Sequence, residues 1–141
     1  MIVSKFFYFE AAHILSDYLG ECSNLHGHSY KLEVAVEGEL QNGMVVDFKV
    51  VKAIVNNEVI GKFDHAFLVN VRSNDKVENA LKKVILESHR KLVEIDGRTT
   101  AENIILYIKA AILKALPNAI SLRKLVLYET KDNFVTWENN C

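Results

Sequence analysis

The chain is poor in the residues that punctuate or staple a fold: one proline, six glycines, two cysteines and one tryptophan in 141 residues. Two cysteines, Cys22 and Cys141, do not make the disulfide framework of a small secreted domain, and with half of the residues apolar a core can form without one. No apolar run approaches the roughly 18 residues that would span a bilayer. The opening Met-Ile-Val-Ser-Lys-Phe-Phe-Tyr-Phe-Glu has neither the charged lead nor the small-residue cleavage site of a secretory signal, so the cytoplasm is the expected compartment. Charge of one sign is also lacking. Seventeen basic residues face eighteen acidic ones, the formal net charge is -1, and no Lys/Arg block stands out. Nucleic acid and anionic membranes are therefore disfavoured as partners, whereas a local pocket for a small anion stays open. Glycine-rich phosphate loops, internal repeats and low-complexity linkers are missing too, which leaves one domain over residues 1–141 as the expectation.

What is present is patterned. Residues 6 to 13 alternate, with Phe7, Phe9, Ala11 and His13 on one side of an extended chain. Ser29 to Gly38 alternates more cleanly, Tyr30, Leu32, Val34 and Val36 against Lys31, Glu33 and Glu37, as a strand with one wet face does. Gln41-Asn42-Gly43 has turn chemistry, and Met44-Val45-Val46 is read as a short returning strand. Asp47 stands as an N-cap before a helix that closes near Gly61. A second helix is predicted from Val77 to about Leu92. A third begins after Thr99-Thr100, turns Ile104, Ile105, Ile108 and Ile112 inward, and stops before Pro117. Leu122 to Thr130 alternates again, with Phe134 to Trp137 as its hairpin partner. Strands, helices, then strands argue for an α+β fold, an antiparallel sheet with helices on one face.

The chemistry gathers at strand ends. His26-Gly27-His28 sets two imidazoles at i and i+2, which project to one face of an extended chain and can share an ion. His28 has the parity of Tyr30 and Leu32, and His13 ends the first strand on the parity of Phe7 and Phe9. An antiparallel return brings those two ends together. A lone histidine is more often a hydrogen-bonded structural residue, but three of five converging at paired strand ends point to metal. Three imidazoles leave one tetrahedral position open, as in catalytic zinc sites, and the absence of a completing carboxylate favours zinc over iron, with Glu10 and Glu21 keeping iron open. Cys22, four residues before His26, reads either as a fourth ligand or as a thiolate beside a metal-bound substrate; Cys141 reads as an incidental tail residue. Asp64-His65 reads as a proton-transfer pair or an ordinary loop dipeptide. Glu129, on the parity of Leu125 and Leu127, reads as a solvated strand end or an acceptor for the N–H donors of a planar ligand.

Taken in order, Phe9-Glu10-Ala11-Ala12-His13, Cys22 to Tyr30, Val46-Asp47-Phe48, Asp64-His65 with Leu68, Thr100-Ala101-Glu102-Asn103 and Glu129-Thr130 resemble the 6-pyruvoyl-tetrahydropterin synthase and 6-carboxytetrahydropterin synthase family. The resemblance runs from near the first residue to near the last. It implies the tunnelling fold, in which four-stranded sheets of several protomers close into a barrel with active sites between subunits of a trimer-based homo-oligomer, a trimer or a hexamer. It implies zinc on His13, His26 and His28, and a thiol, Cys22, working with Asp64 and His65 and not as a ligand. Glu129 would anchor a pterin whose pocket Thr100 and Glu102 line. The implied substrate is 7,8-dihydroneopterin triphosphate. Three residues between Cys22 and His26 resemble the spacing of the carboxytetrahydropterin branch, whose products are 6-carboxy-5,6,7,8-tetrahydropterin, acetaldehyde and triphosphate, on the way to deazapurine nucleosides of transfer RNA. The alternatives are a pyruvoyl-tetrahydropterin synthase, an aldolase-like activity on dihydroneopterin, a non-catalytic zinc and pterin-binding module, and a structural zinc domain. Two features depart from the pattern: Arg72 to Gly97 is longer than in compact members, and Arg98-Thr99 stands where a proline often precedes the threonine.

Overall fold

A computed structural model describes residues 1–140, and Cys141 lies outside the described residues. Two long strands form its spine. β1 (Ile2–His13) and β2 (His26–Gly38) run antiparallel from the pair Ile2 and Glu37 to the pair His13 and His26. β5 (Ile120–Tyr128) joins β2, and β6 (Phe134–Glu138) joins β5, both antiparallel, with the β2–β5 register shifting between Ala35 and Val36. The alternation read from the sequence is the alternation of burial. Phe7, Phe9, Tyr30, Leu32, Val34, Leu122, Leu125 and Leu127 share one apolar face.

The sheet departs from expectation at its other end. β3 (Ala66–Asn70) lies parallel to β1, β4 (Leu92–Ile95) lies parallel to β3, and the order is β4-β3-β1-β2-β5-β6. The expected four-stranded antiparallel sheet is thus a six-stranded mixed one. Every residue of β3 is buried, because both of its faces are covered, and a strand buried on both faces carries no alternation to read.

α1 (Phe48–Val55) starts at Asp47, whose carboxylate accepts from the Lys49 N–H at 2.8 Å. It passes through a π turn (Asn56–Ile60) into α2 (Gly61–Phe63). With α4 (Ala101–Ala115) it covers the apolar face through Val51, Val55, Val59, Phe63, Ile104, Ile108 and Ile112. α3 (Lys76–Glu87), capped by Asp75, lies elsewhere. Its Leu81 and Ile85 pack on Phe67 and Val69, whose neighbours Ala66 and Leu68 point to the main core. Helices therefore cover both faces at the β3–β4 end, not one. The helix expected to reach Leu92 stops at Glu87, His89 takes a left-handed φ of 55°, and Leu92 opens β4. Met44–Val46 is not a strand either. The turn at Asn42 and Gly43, both at positive φ, closes only one bridge between Gln41 and Met44. No helix is long and apolar enough to cross a membrane.

Candidate active site

The antiparallel β1–β2 register sets His13 directly opposite His26 and Ala11 opposite His28. Gly27 makes the close approach possible, since a Cβ there would lie 3.0 Å from the Ala11 carbonyl oxygen. The ligand nitrogens of His13, His26 and His28 all lie within 4.8 Å of one another. Two of the rings are held by backbone: His13 Nδ1 is 2.7 Å from the Thr99 carbonyl oxygen and His26 Nδ1 is 2.8 Å from that of Asn24. A carbonyl only accepts, so each Nδ1 carries a proton, and in the neutral form of either ring Nε2 presents a lone pair. Those two Nε2 atoms face each other at 3.0 Å. Two lone pairs at that distance repel unless a cation or shared proton lies between them, and anchored Nδ1–H groups are the usual support of metal-bound imidazoles. The donor set fits zinc.

Burial enforces neutrality. His13 is 0 % exposed, and its removal from water, with the neighbouring His26 and His28 adding to it, lowers its pKa from 6.5 to about 4. His28 is also lowered, chiefly by burial, with the Glu129 carboxylate opposing. Both rings are therefore unprotonated near neutrality and can bind a metal without first shedding a proton.

Glu129 stands just beyond β5, its Oε1 3.6 Å from His28 Nε2 and 4.0 Å from His13 Nε2. Glu129 and the histidines thus meet within one chain. Glu129 also lines a cleft of about 280 Å³ with Thr100, Glu102, Leu15, Asn133 and Phe134. Thr100 caps α4 through Asn103, and Glu102 is exposed on its first turn. Neither Glu10 nor Glu21, the carboxylates that kept iron open, joins the metal-competent cluster.

Asp64 and His65 lie on the other side of the cluster, at the exposed edge of β1. The Asp64 carboxylate accepts from the Glu10 N–H at 2.9 Å and lies 3.1 Å from His65 Nδ1, while the His65 N–H donates to the Glu10 carbonyl at 2.7 Å. The Glu10 N–H, and after it His65 and Lys91, hold the Asp64 carboxyl below the usual range. His65 adopts φ 63°, uncommon for a side chain with a Cβ, and opens with His28 on a cleft of about 370 Å³. Cys22 sits apart, in a 3₁₀ turn (Glu21–Ser23) of the β1–β2 connection, half-buried, with no hydrogen-bond partner for its thiol among the described residues. One chain thus joins the histidines to Glu129, whereas Cys22, Asp64 and His65 do not gather within 4.8 Å of one another among the described residues.

Sequence reasoning missed the backbone groups that fix the rings, Thr99 and Asn24, and the Tyr30 hydroxyl. Tyr30 is 1 % exposed, stacks on Phe9 and has no partner for its hydroxyl, which burial pushes well above the usual phenol range. The Tyr directly after His28-Ser29, on the metal-facing parity, was its only trace in the sequence.

A profile of the 6-pyruvoyl tetrahydropterin synthase family matches residues 2–140. The chain belongs to that family. It is 33 % identical over 141 residues to the 6-carboxy-5,6,7,8-tetrahydropterin synthase of Haemophilus influenzae, covering 96 % of this chain and 97 % of that one. It is 35 % identical over 121 residues to the dihydroneopterin monophosphate aldolase of Pyrococcus furiosus, covering 86 % and 82 %. The structure matches the 6-pyruvoyl tetrahydropterin synthase of Plasmodium falciparum with a TM-score of 0.74 at 21 % identity, over 99 % of this chain and 97 % of that one. The fold is the tunnelling fold, here with six strands in the sheet.

Proposed function

We propose that the protein is a zinc-dependent 6-carboxy-5,6,7,8-tetrahydropterin synthase acting on 7,8-dihydroneopterin triphosphate. The observation that carries this reading is the pair of anchored imidazoles, His13 and His26, whose Nε2 atoms meet at 3.0 Å beside His28 and Glu129. Bound there, zinc supplies Lewis-acid polarisation of the oxygens on the substrate side chain. Glu129 accepts N–H donors of the pterin ring, and Thr100 and Glu102 shape the same cleft. Cys22 and His65 move protons at the side-chain carbons, and Asp64, 3.1 Å from His65 Nδ1, orients that ring. The separation of Cys22 from the Asp64–His65 pair within one chain supports a working site shared between protomers of a trimer-based homo-oligomer.

Product analysis after incubation with 7,8-dihydroneopterin triphosphate tests the assignment. The expected products are 6-carboxytetrahydropterin, acetaldehyde and triphosphate; acetaldehyde without the carboxypterin would overturn it. A second reading, an aldolase acting on a dihydroneopterin phosphate, is favoured by the Pyrococcus furiosus relative. It predicts, from the same incubation, a 6-hydroxymethyl-7,8-dihydropterin and a glycolaldehyde fragment that still carries the substrate's phosphate chain.

A further inference from the structure

Among the described residues Glu78 is the only Asp, Glu, Lys or Arg that is buried, at 0 % exposure. It lies on the first turn of α3, inside the long segment from Arg72 to Gly97. A glutamate in a helix's first turn ordinarily points to water, and burying a carboxyl group is costly unless every oxygen is satisfied. Both are. Oε1 accepts from the Asn70 N–H at the end of β3 at 2.8 Å, and Oε2 accepts from the Ser16 hydroxyl at 2.8 Å, with Ser73 Oγ 3.1 Å from the same hydroxyl. One side chain thereby ties α3 to β3 and to the connection leaving β1.

That connection carries the candidate thiol. It follows His13 directly, and Leu15, next to Ser16, donates its N–H to the Cys22 carbonyl at 3.0 Å. On either side of Leu15, Ile14 accepts from the Thr99 hydroxyl at 3.3 Å and Asp17 accepts from Arg98 at 2.8 Å. Residues 14 to 17 are therefore held against the segment before α4, bonded to Cys22 through Leu15 and to Glu78 through Ser16. We propose that Glu78 is a positioning residue: through Ser16 and Leu15 it fixes where Cys22 stands relative to the histidine cluster. The segment from Arg72 to Gly97 is then part of the active-site frame as well as a helix covering the sheet. The proposal rests on the reading of Cys22 as the working thiol.

Ser16→Ala cuts the tie and leaves the bond between Glu78 and Asn70 in place; Ser73→Ala is the control that spares it. Both would be compared with the parent, zinc-loaded and with 7,8-dihydroneopterin triphosphate as substrate. For Ser16→Ala, zinc content and KM are expected to hold, while kcat falls about ten-fold and the Leu15 amide exchanges with deuterium about ten-fold faster, since small misplacements of a reacting group are costly. Ser73→Ala should move neither. Glu78→Gln should retain most of both, because the Ser16 hydroxyl can turn to accept from the new amide. A Ser16→Ala protein that melts earlier but keeps parental kcat and Leu15 protection would overturn the proposal, since a merely structural contact predicts that result. If the parent turns nothing over, the functional reading fails and the exchange comparison alone decides the positioning role.

Discussion

The histidine cluster and the Asp64–His65 pair flank the same end of β1, yet they are built on opposite plans. The cluster is the drier of the two: His13 is fully buried, His26 and His28 are half-buried, two rings are pinned by backbone carbonyls, and burial holds His13 neutral. The pair is wet. His65 has 76 % of its side chain exposed, sits at a positive φ on the sheet edge, and has one carboxylate partner. The difference separates two needs. A metal site must have its ligands fixed and deprotonated before the ion arrives, whereas a proton-transfer group must reach a substrate and can be completed by it or by a second subunit.

The largest expected effect tests the first half of that contrast. His26→Ala removes one of the two facing Nε2 atoms and should weaken zinc binding by at least about 100-fold, since loss of supporting residues around such a site already costs 10- to 100-fold. His65→Ala should bind zinc as the parent does. Titration of both proteins with zinc reads the difference, and a His65→Ala protein that lost zinc would break the contrast. The second half is tested by turnover. Asp64→Asn keeps the shape of the pair but removes the charge that orients His65, and kcat should fall about 100-fold with zinc content intact. If the working site joins protomers, mixing Cys22→Ala with His65→Ala subunits should restore part of the activity each lacks. No recovery on mixing would place both residues in one protomer's site.

Where the chain alternates, the fold was legible. Phe7, Phe9, Ala11 and His13 on one strand and His28, Tyr30 and Leu32 on the next were enough to bring His13 opposite His26, and Asp47 was readable as a cap because a carboxylate ahead of a helical stripe has few other uses. β3 and β4 were not legible. Ala66 to Val69 is a short apolar run buried on both faces, and β4 is only four residues long, so neither offers a period to distinguish strand from helix. The three histidines that could hold a metal were readable as a group from residue type and spacing. What orients them was not, because the Thr99 and Asn24 carbonyls are backbone groups that any residue carries.

Acid gives a smaller effect confined to the dry half. His13 binds a proton near pH 6.5 when unfolded but only near pH 4 in the fold, so below pH 6.5 the unfolded chain takes up the proton first. The stability associated with its neutral form is complete above about pH 6.5 and is lost as the pH falls toward 4, on the order of 3 kcal/mol at most. Denaturant unfolding of the zinc-free protein between pH 7.5 and pH 4, following roughly this window, should show that loss, and His13→Gln should flatten it. An equal slope in parent and variant would assign the acid sensitivity elsewhere.

The smallest effect separates the helix start from the ring it neighbours. Thr100 caps α4 from 3.5 Å, a longer bond than the 2.8 Å one by which Asp47 caps α1, so Thr100→Ala should cost about 0.5 kcal/mol and Asp47→Ala about 1 kcal/mol or more. Thr99 comes immediately before Thr100 and holds His13 through its carbonyl, so a loosened helix start could in principle free the ring. It should not. The Thr99 hydroxyl is itself bonded to the Ile14 carbonyl, and both groups are buried with His13. Zinc affinity of Thr100→Ala within two-fold of the parent, measured beside its melting curve, is the expected result. A larger loss would mean that the cluster depends on the first turn of α4, and the dry half would be less self-contained than its burial implies.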